Sequence, residues 1–317
     1  MVLSTRVRTG PPRDPHESEH RLMHPVETRS DHSHQLAHYA GYTGYDPAFL
    51  GTRVPLPVLT RVQRSVAAKR VDAGPADDPV VLPYPHFSLV MNGLRSLAYY
   101  TVVNIDGLRL VDRPRERDVW FLDSRIAQTE QIGEDLYRRN ALDRGHLVRR
   151  LDPVWGADPE RSNGDTFHFT NCSPQHERFN QGKELWQGLE NAILDDARVR
   201  GRRMTVFTGP VLAEGDPLYK GVRLPLAFWK IVVYDKVDGT TASAAYVLEQ
   251  AALVDEILHE EAAFLPGTYR VTLAHLIDRT TLDFGYLQAY ELPLSSDGLE
   301  AATDHVPVQG GFANLVV

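Results

Sequence analysis

The residues with chemistry to offer crowd into one stretch, from Ala141 to Glu190. His146 follows Gly145 in Asp143-Arg-Gly-His, where a turn can hold an imidazole rigidly and in reach of a ligand. A neutral imidazole, with an unperturbed pKa of about 6.5, can take a proton from water near neutral pH. Asparagine and carboxylate oxygens, here on Asn171, Asn180, Glu184 and Glu190, suit a hard cation such as Mg²⁺. Arg144, Arg149 and Arg150 can fork onto phosphate and offset growing negative charge. Histidine, asparagine, glutamate and arginines together meet the needs of metal-assisted phosphodiester hydrolysis. Rival templates are absent: there is no phosphate-binding P-loop, no Gly-x-Ser-x-Gly and no His-Glu-x-x-His. Residue types alone still leave blander readings open. A histidine can be structural, an asparagine at a helix start can be a cap, and an arginine pair can be a solvated face.

These side chains need elements to hold them. Asp143-Arg-Gly-His is expected where a strand meets a turn, with Gly145 letting the backbone bend. Residues 151–165 read as a loop, and Phe167-His-Phe-Thr as a short strand. Asn180 to Arg198 reads as one helix, with Leu185, Leu189 and Ile193 at fourfold spacing and Trp186 on the adjoining face. Short helices are expected over 61–71 and 127–136. Strands flank the stretch: 86–92 and 97–107 around an Asn92-Gly93 turn, then 204–212, 226–234 and 241–248. A strand and a short helix follow from Tyr269. Strands on both sides of the helix predict an α+β domain, a mixed fold with a central antiparallel β-sheet and flanking helices.

The boundaries follow composition. Residues 84–294 form the expected domain, 41–83 an extended lead-in and 295–317 a C-terminal extension. Residues 1–40 carry histidines 16, 20, 24, 32, 34 and 38 with little apolar periodicity, and read as a flexible or partner-binding arm. Their spacing matches no tight ligand pattern, so no metal site is expected there.

The net charge of −8 argues against broad adhesion to nucleic acid but leaves room for a local basic cleft. Cys172 is the only cysteine, so an intramolecular disulfide is impossible; it reads as a small buried hydrophobe. Lys230 reads as a strand-end lysine that snorkels to water. No apolar run is long enough to span a membrane and the N-terminus lacks a signal-peptide core. A cytoplasmic location is the default expectation, with non-classical export as the alternative.

Motif order sharpens the chemistry. Asp143-Arg-Gly-His is followed by Thr170-Asn-Cys-Ser-Pro-Gln, Phe179-Asn-Gln-Gly and Trp186-Gln-Gly-Leu-Glu. Phe207-Thr-Gly-Pro-Val, Pro225-Leu-Ala-Phe-Trp-Lys and Thr281-Leu-Asp-Phe come later. The series resembles the DNA/RNA non-specific endonuclease family, the Serratia-type and endonuclease G-like nucleases with a ββα-metal (His-Me finger) site. The likeness runs from about Tyr84 to Leu287.

The resemblance implies roles. His146 would be the general base, Asn180 the protein ligand of one Mg²⁺ (Mn²⁺ as substitute), and Glu190 the holder of the ion's waters. Asn171 would support the metal site, Asp143 would orient the turn, and Arg144 would contact phosphate. Arg117-Asp-Val-Trp-Phe-Leu-Asp123 is similar to the family's Arg-x-x-aromatic-x-x-Asp, making Arg117 the transition-state arginine with Arg115 as alternative. The implied activity is metal-dependent hydrolysis of DNA and RNA to 5′-phosphate products. Two departures stand out. Leu147-Val-Arg-Arg replaces the usual Leu-Ala-Pro, so Arg149 and Arg150 could add phosphate contacts. Asn180 and Glu190 stand two residues further apart than in several relatives. Either the helix starts after Asn180 or Glu184 takes Glu190's part; Trp-x-x-Leu-Glu favours Glu190. Other readings are a catalytically degenerate nucleic-acid-binding or assembly subunit and a phosphodiesterase of small nucleotides. Partners compatible with a nuclease are DNA, RNA, an inhibitor, a larger assembly or a second copy as a homodimer.

Overall fold

Long apolar strands, covered on both faces, assemble an eight-stranded antiparallel sheet. A computed structural model describes residues 32–115, 118–259, 267–294, 304–308 and 312. Across the sheet the order is His305–Pro307, Gly267–Val271, Thr241–Glu249, Ala227–Asp235, Arg203–Pro210, Leu97–Asp106, Phe87–Asn92 and Val81–Tyr84. Side chains alternate between faces along each strand. One face carries Val103, Ile105, Val206, Phe228 and Val232, and packs against Leu189, Ile193 and Ala197 of the helix Trp186–Arg200. The other carries Val102, Phe207, Trp229, Ile231 and Val233, and packs against Leu273, Leu276 and Phe284. The expected α+β architecture with a central antiparallel sheet is therefore present.

A second hairpin stands apart from this sheet. Leu142–His146 pairs antiparallel with Cys172–His176, with His146 opposite Cys172. The short helix Glu177–Asn180 and the long helix Trp186–Arg200 follow directly, completing a ββα unit. Gly145 lies inside the strand and is not its bend. A Cβ there would sit 2.0 Å from Gln175 Oε1, so any other residue would have to displace that buried side chain.

Four local expectations need correction. Asn180 to Arg198 is not one helix: Glu177–Asn180 ends, residues 181–185 form a turn, and a new helix starts at Trp186. Gly182 disfavours helix, and the turn folds back so closely that a Cβ on Gly188 would meet Lys183 O at 1.8 Å. The apolar spacing of Leu189 and Ile193 is real, but periodicity does not register a break between two helices. The loop expected over 151–165 contains a helix, Pro159–Asp165, whose N-cap Asp158 accepts from Arg161 N–H and whose first position is proline. Phe167-His-Phe-Thr is not a strand of the hairpin; Phe169–Asn171 forms a 3₁₀ turn that leads into it. Over 127–136 two 3₁₀ turns, Gln128–Glu130 and Glu134–Tyr137, stand in place of a helix.

The arm expected over 1–40 is part of the domain from His32 onward. His32–Ser33 pairs in parallel with Phe121–Leu122, and Tyr39 is buried in the 3₁₀ turn Leu36–Tyr39. Residues 1–31 lie outside the described residues, as does most of 295–317; within the latter, His305–Pro307 adds the sheet's edge strand. The lead-in likewise contributes the opposite edge, Val81–Tyr84.

Candidate active site

The ββα unit forms one wall of a cleft of about 590 Å³. Arg115, Arg144, Arg149 and Arg150 line it against Asp118, Asp143 and Glu190. His146, Asn180, Trp120 and Gln187 complete most of the lining. The cleft is thus basic within a chain that is acidic overall.

His146 ends its strand with its ring wedged between Trp120, 4.8 Å away, and the edge of Phe167, 4.9 Å away. Its carbonyl accepts a hydrogen bond from Trp186 Nε1 at 3.3 Å. Its Nε2 is shielded and has no hydrogen-bond partner. Burial pushes the imidazole pKa down to about 3, and Arg115, Arg150 and Arg144 push the same way against Asp118. The ring is therefore neutral near pH 7, which leaves one nitrogen lone pair for a proton. The chain leaving His146 is locked by Asn171. Its Oδ1 accepts from Val148 N–H at 2.9 Å, and its Nδ2 donates to Val148 O and Thr166 O. Fully buried, this side chain is committed to the backbone, so any support it gives a metal passes through the turn after His146.

Asn180 closes the short helix. Its Nδ2 donates to Asp143 Oδ2 at 2.9 Å, and Gln181 Nε2 donates to the same oxygen at 2.8 Å. With Nδ2 held, Oδ1 is the atom left to meet a cation. Glu190 reaches the cleft from the second helix, whereas Glu184 is exposed and does not line it. The helix break settles the spacing problem: the two residues belong to separate helices, so their angular offset on one cylinder does not arise. Glu190 Oε1 is ion-paired with Lys230 Nζ at 3.3 Å yet has no well-directed hydrogen bond. Burial raises its carboxyl pKa, opposed by Lys230 and Arg149. An amide oxygen and a carboxylate with a spare oxygen are the donors a hard divalent cation takes, and no thiolate competes.

The arginines are anchored. Arg144 Nη1 bonds Glu134 Oε1 at 2.7 Å, and its guanidinium lies 5.7 Å from the Trp120 ring centre. Arg149 bonds Glu190 O at 3.1 Å and Asn191 Oδ1 at 2.6 Å. Arg150 bonds Asn163 Oδ1 at 2.9 Å and Arg113 O at 3.1 Å. Arg117 lies outside the described residues; Arg115 lines the cleft and pairs with Asp118 at 2.6 Å.

Two residues of the site escape the sequence reading. Lys230 is no snorkelling strand-end lysine: it is 1 % exposed in mid-strand. Its Nζ lies 3.1 Å from Thr208 Oγ1, 3.3 Å from Leu147 O and 4.2 Å from the Trp186 ring centre. Its position two residues from both Phe228 and Val232 on the inward face was the available signal, because a lysine there must be paired. Asp152, also buried, faces Arg149, Lys230 and Glu190, and burial lifts its carboxyl pKa to about 7. Cys172 is the buried small residue expected, with Tyr137 Oη 3.4 Å from its sulfur.

Comparison with known proteins agrees with this fold. The family model for DNA/RNA non-specific endonuclease matches residues 66–289. An uncharacterized protein of Sinorhizobium fredii, y4fB, is 37 % identical over 294 residues, which cover 86 % of this chain and 44 % of that protein. The chain thus spans less than half the length of that relative. Among solved structures, a chain of the EndoG/EndoGI complex, described as showing the mechanism of EndoG inhibition, superposes with a TM-score of 0.51 at 17 % identity. That match covers 73 % of this chain and 93 % of the other and establishes likeness of fold. The motif order, the ββα unit and the family match agree: this chain belongs to the DNA/RNA non-specific endonuclease family.

Proposed function

We propose that this chain is a Mg²⁺-dependent endonuclease that hydrolyses phosphodiester bonds of DNA and RNA and leaves 5′-phosphates. The observation that carries the reading is the neutral His146 ring, which lines a cleft walled by four arginines. His146 takes the proton of the attacking water. Asp143 holds the Asn180 amide in orientation. Asn180 would hold the cation and Glu190 its waters, and the ion would supply positive charge against the phosphate (Mn²⁺ serving as substitute). Arg144, Arg149 and Arg150 contact backbone phosphates, and Arg117, or Arg115 in its place, offsets charge in the transition state. These contacts read the backbone and not base edges, so sequence selectivity is low.

Plasmid nicking tests the reading: Mg²⁺ supports it, EDTA abolishes it, and His146→Ala removes it. Equal nicking by His146→Ala and the parent protein would overturn the assignment of the base. Long DNA should be cut far faster than a dinucleotide ester, since the basic cleft rewards a polymer. An inhibitor protein is a fitting partner, on the precedent of the EndoG structure solved with EndoGI. A homodimer or larger assembly is testable by size-exclusion of the full chain. Among the described residues, no helix is long and apolar enough to cross a membrane.

A further inference from the structure

We propose that His34, His38, Asp165 and His168 form a second metal site, separate from the cleft, that takes a zinc-class divalent cation and ties the N-terminal segment to the domain. One ligand atom from each residue lies within 4.8 Å of the other three. Tetrahedral zinc, with bonds of about 2.0–2.1 Å to nitrogen and oxygen, asks for ligand separations of roughly 3.3–3.5 Å, so small side-chain rotations close the set. Three imidazoles and a carboxylate form a borderline donor set, which prefers zinc and its transition-metal neighbours to Mg²⁺. None of the four residues lines the cleft.

Spacing within residues 1–40 shows no metal-ligand pattern because half of the set lies far along the chain. The pattern is split. His34 and His38 are four apart around the 3₁₀ turn Leu36–Tyr39, and Asp165 and His168 are three apart at the end of the helix Pro159–Asp165. Each pair has a common two-ligand spacing; only the fold brings the pairs together.

Surrounding contacts are those of a prepared site. Asp165 and His168 are 1 % and 0 % exposed. His168 Nδ1 lies 2.9 Å from Asp165 O. A carbonyl only accepts, so Nδ1 carries the proton, the arrangement that orients metal-bound histidines, and Nε2 accepts from the Tyr39 hydroxyl at 3.0 Å, a bond that a cation would replace. The Asp165 carboxylate is held by His38 Nε2 at 2.7 Å and by the Tyr42 hydroxyl. The His34 ring stacks between His38, 3.8 Å away, and Phe121, 4.0 Å away, and makes no hydrogen bond among the described residues. A hydrogen-bonded network without metal accounts for His38, Asp165 and His168. It gives the part-exposed His34 nitrogens no partner among the described residues.

The site would brace the active site from behind. Phe167, next to His168, packs on the His146 ring, and Asn171, three residues on, locks the chain after His146.

The test uses the full chain, equilibrated with about 10 μM free zinc, dialysed and measured by elemental analysis. The parent protein and Asn180→Ala should each retain about one zinc, and the double variant His34→Gln/His38→Gln should retain none. Because both substituted histidines are part-exposed, the double variant should fold, which circular dichroism checks. Cobalt substitution should give the visible absorption of a four-coordinate site in the parent and lose it in the double variant. Zinc should raise the melting temperature of the parent and Asn180→Ala only. No retained zinc in the parent, or equal zinc and equal cobalt spectra in parent and double variant, would overturn the proposal. These readouts are independent of nuclease activity.

Discussion

The cleft and the Asp123–Arg125 pair are built from the same residue types and differ in how completely they are bonded. Asp123 and Arg125 are both 0 % exposed. Arg125 donates Nη2 to Asp123 Oδ2 at 2.7 Å and Nη1 to Pro83 O at 2.7 Å, with its guanidinium over the rings of Tyr39 and Tyr84. Asp123 also receives the Arg125 backbone N–H and the Tyr84 hydroxyl, while Gln131 brackets its backbone. Burial alone would raise the Asp123 pKa, yet Arg125 holds it below the usual carboxylate value. In the cleft, His146 Nε2 and Glu190 Oε1 have no hydrogen bond. The buried structural pair is satisfied on every side, whereas these two cleft residues are left incomplete, as groups that meet a ligand often are. The Asp165 cluster lies between these extremes, with its carboxylate satisfied and one imidazole idle.

The sharpest way to break that contrast is His146→Ala. Nicking should fall about 10²–10⁴-fold, the usual contribution of a general base, while the melting temperature holds. A collapse in stability with activity per folded molecule intact would move His146 to the structural class. Arg125→Ala should do the reverse. Leaving Asp123 buried and unpaired costs about 3–5 kcal/mol, read from urea unfolding; a loss below about 1 kcal/mol would show that the pair is no structural core.

Lys230 joins the two classes, because it is buried like Arg125 and paired with a cleft residue. Lys230→Met and Glu190→Gln should each destabilise, and the double variant should lose less than the sum, by about 0.5–3 kcal/mol. Exact additivity would mean the ion pair carries no coupling.

The pH dependence follows from His146 and His34, with pKa values lowered to about 3 and about 4. In the unfolded chain both take protons near pH 6.5, so the unfolded state binds more protons between that value and the folded pKa. Their stability is complete above pH 6.5 and is lost as the pH falls. His34→Gln should flatten the acid slope, measured by urea melts from pH 7 to pH 4.

Asp152 runs the other way, and gives the smallest effect. Its folded pKa is raised to about 7, so its proton stabilises fully below about pH 4 and that stability is lost as the pH passes 7. Asp152→Asn should therefore gain stability relative to the parent at pH 8 and little at pH 5.

Much of the site was legible because chemistry constrains residue type and order together. Asp143-Arg-Gly-His, Asn180 and Glu190 do line one cleft, and the strands from Leu97 to Glu249 fall close to where alternation put them. What escaped was what a local window cannot contain. The break at Gly182 hides inside an unbroken apolar period. Gly145 looked like a bend because its need for space comes from Gln175 on the partner strand.

Sequence by itself determined the family, the sheet and the inventory of reactive side chains, since motif order and strand alternation are carried along the chain. Tertiary structure alone decided three things. It chose Glu190 over Glu184 as the cleft's carboxylate, by starting a second helix at Trp186. It made Lys230 an ion-pair partner, by placing its strand in the middle of the sheet. It turned four scattered residues into a candidate metal site, by bringing His38 to Asp165 across 127 positions. Each depends on distance through space, and burial sets the strength of a charge's interactions only once the chain has folded around it.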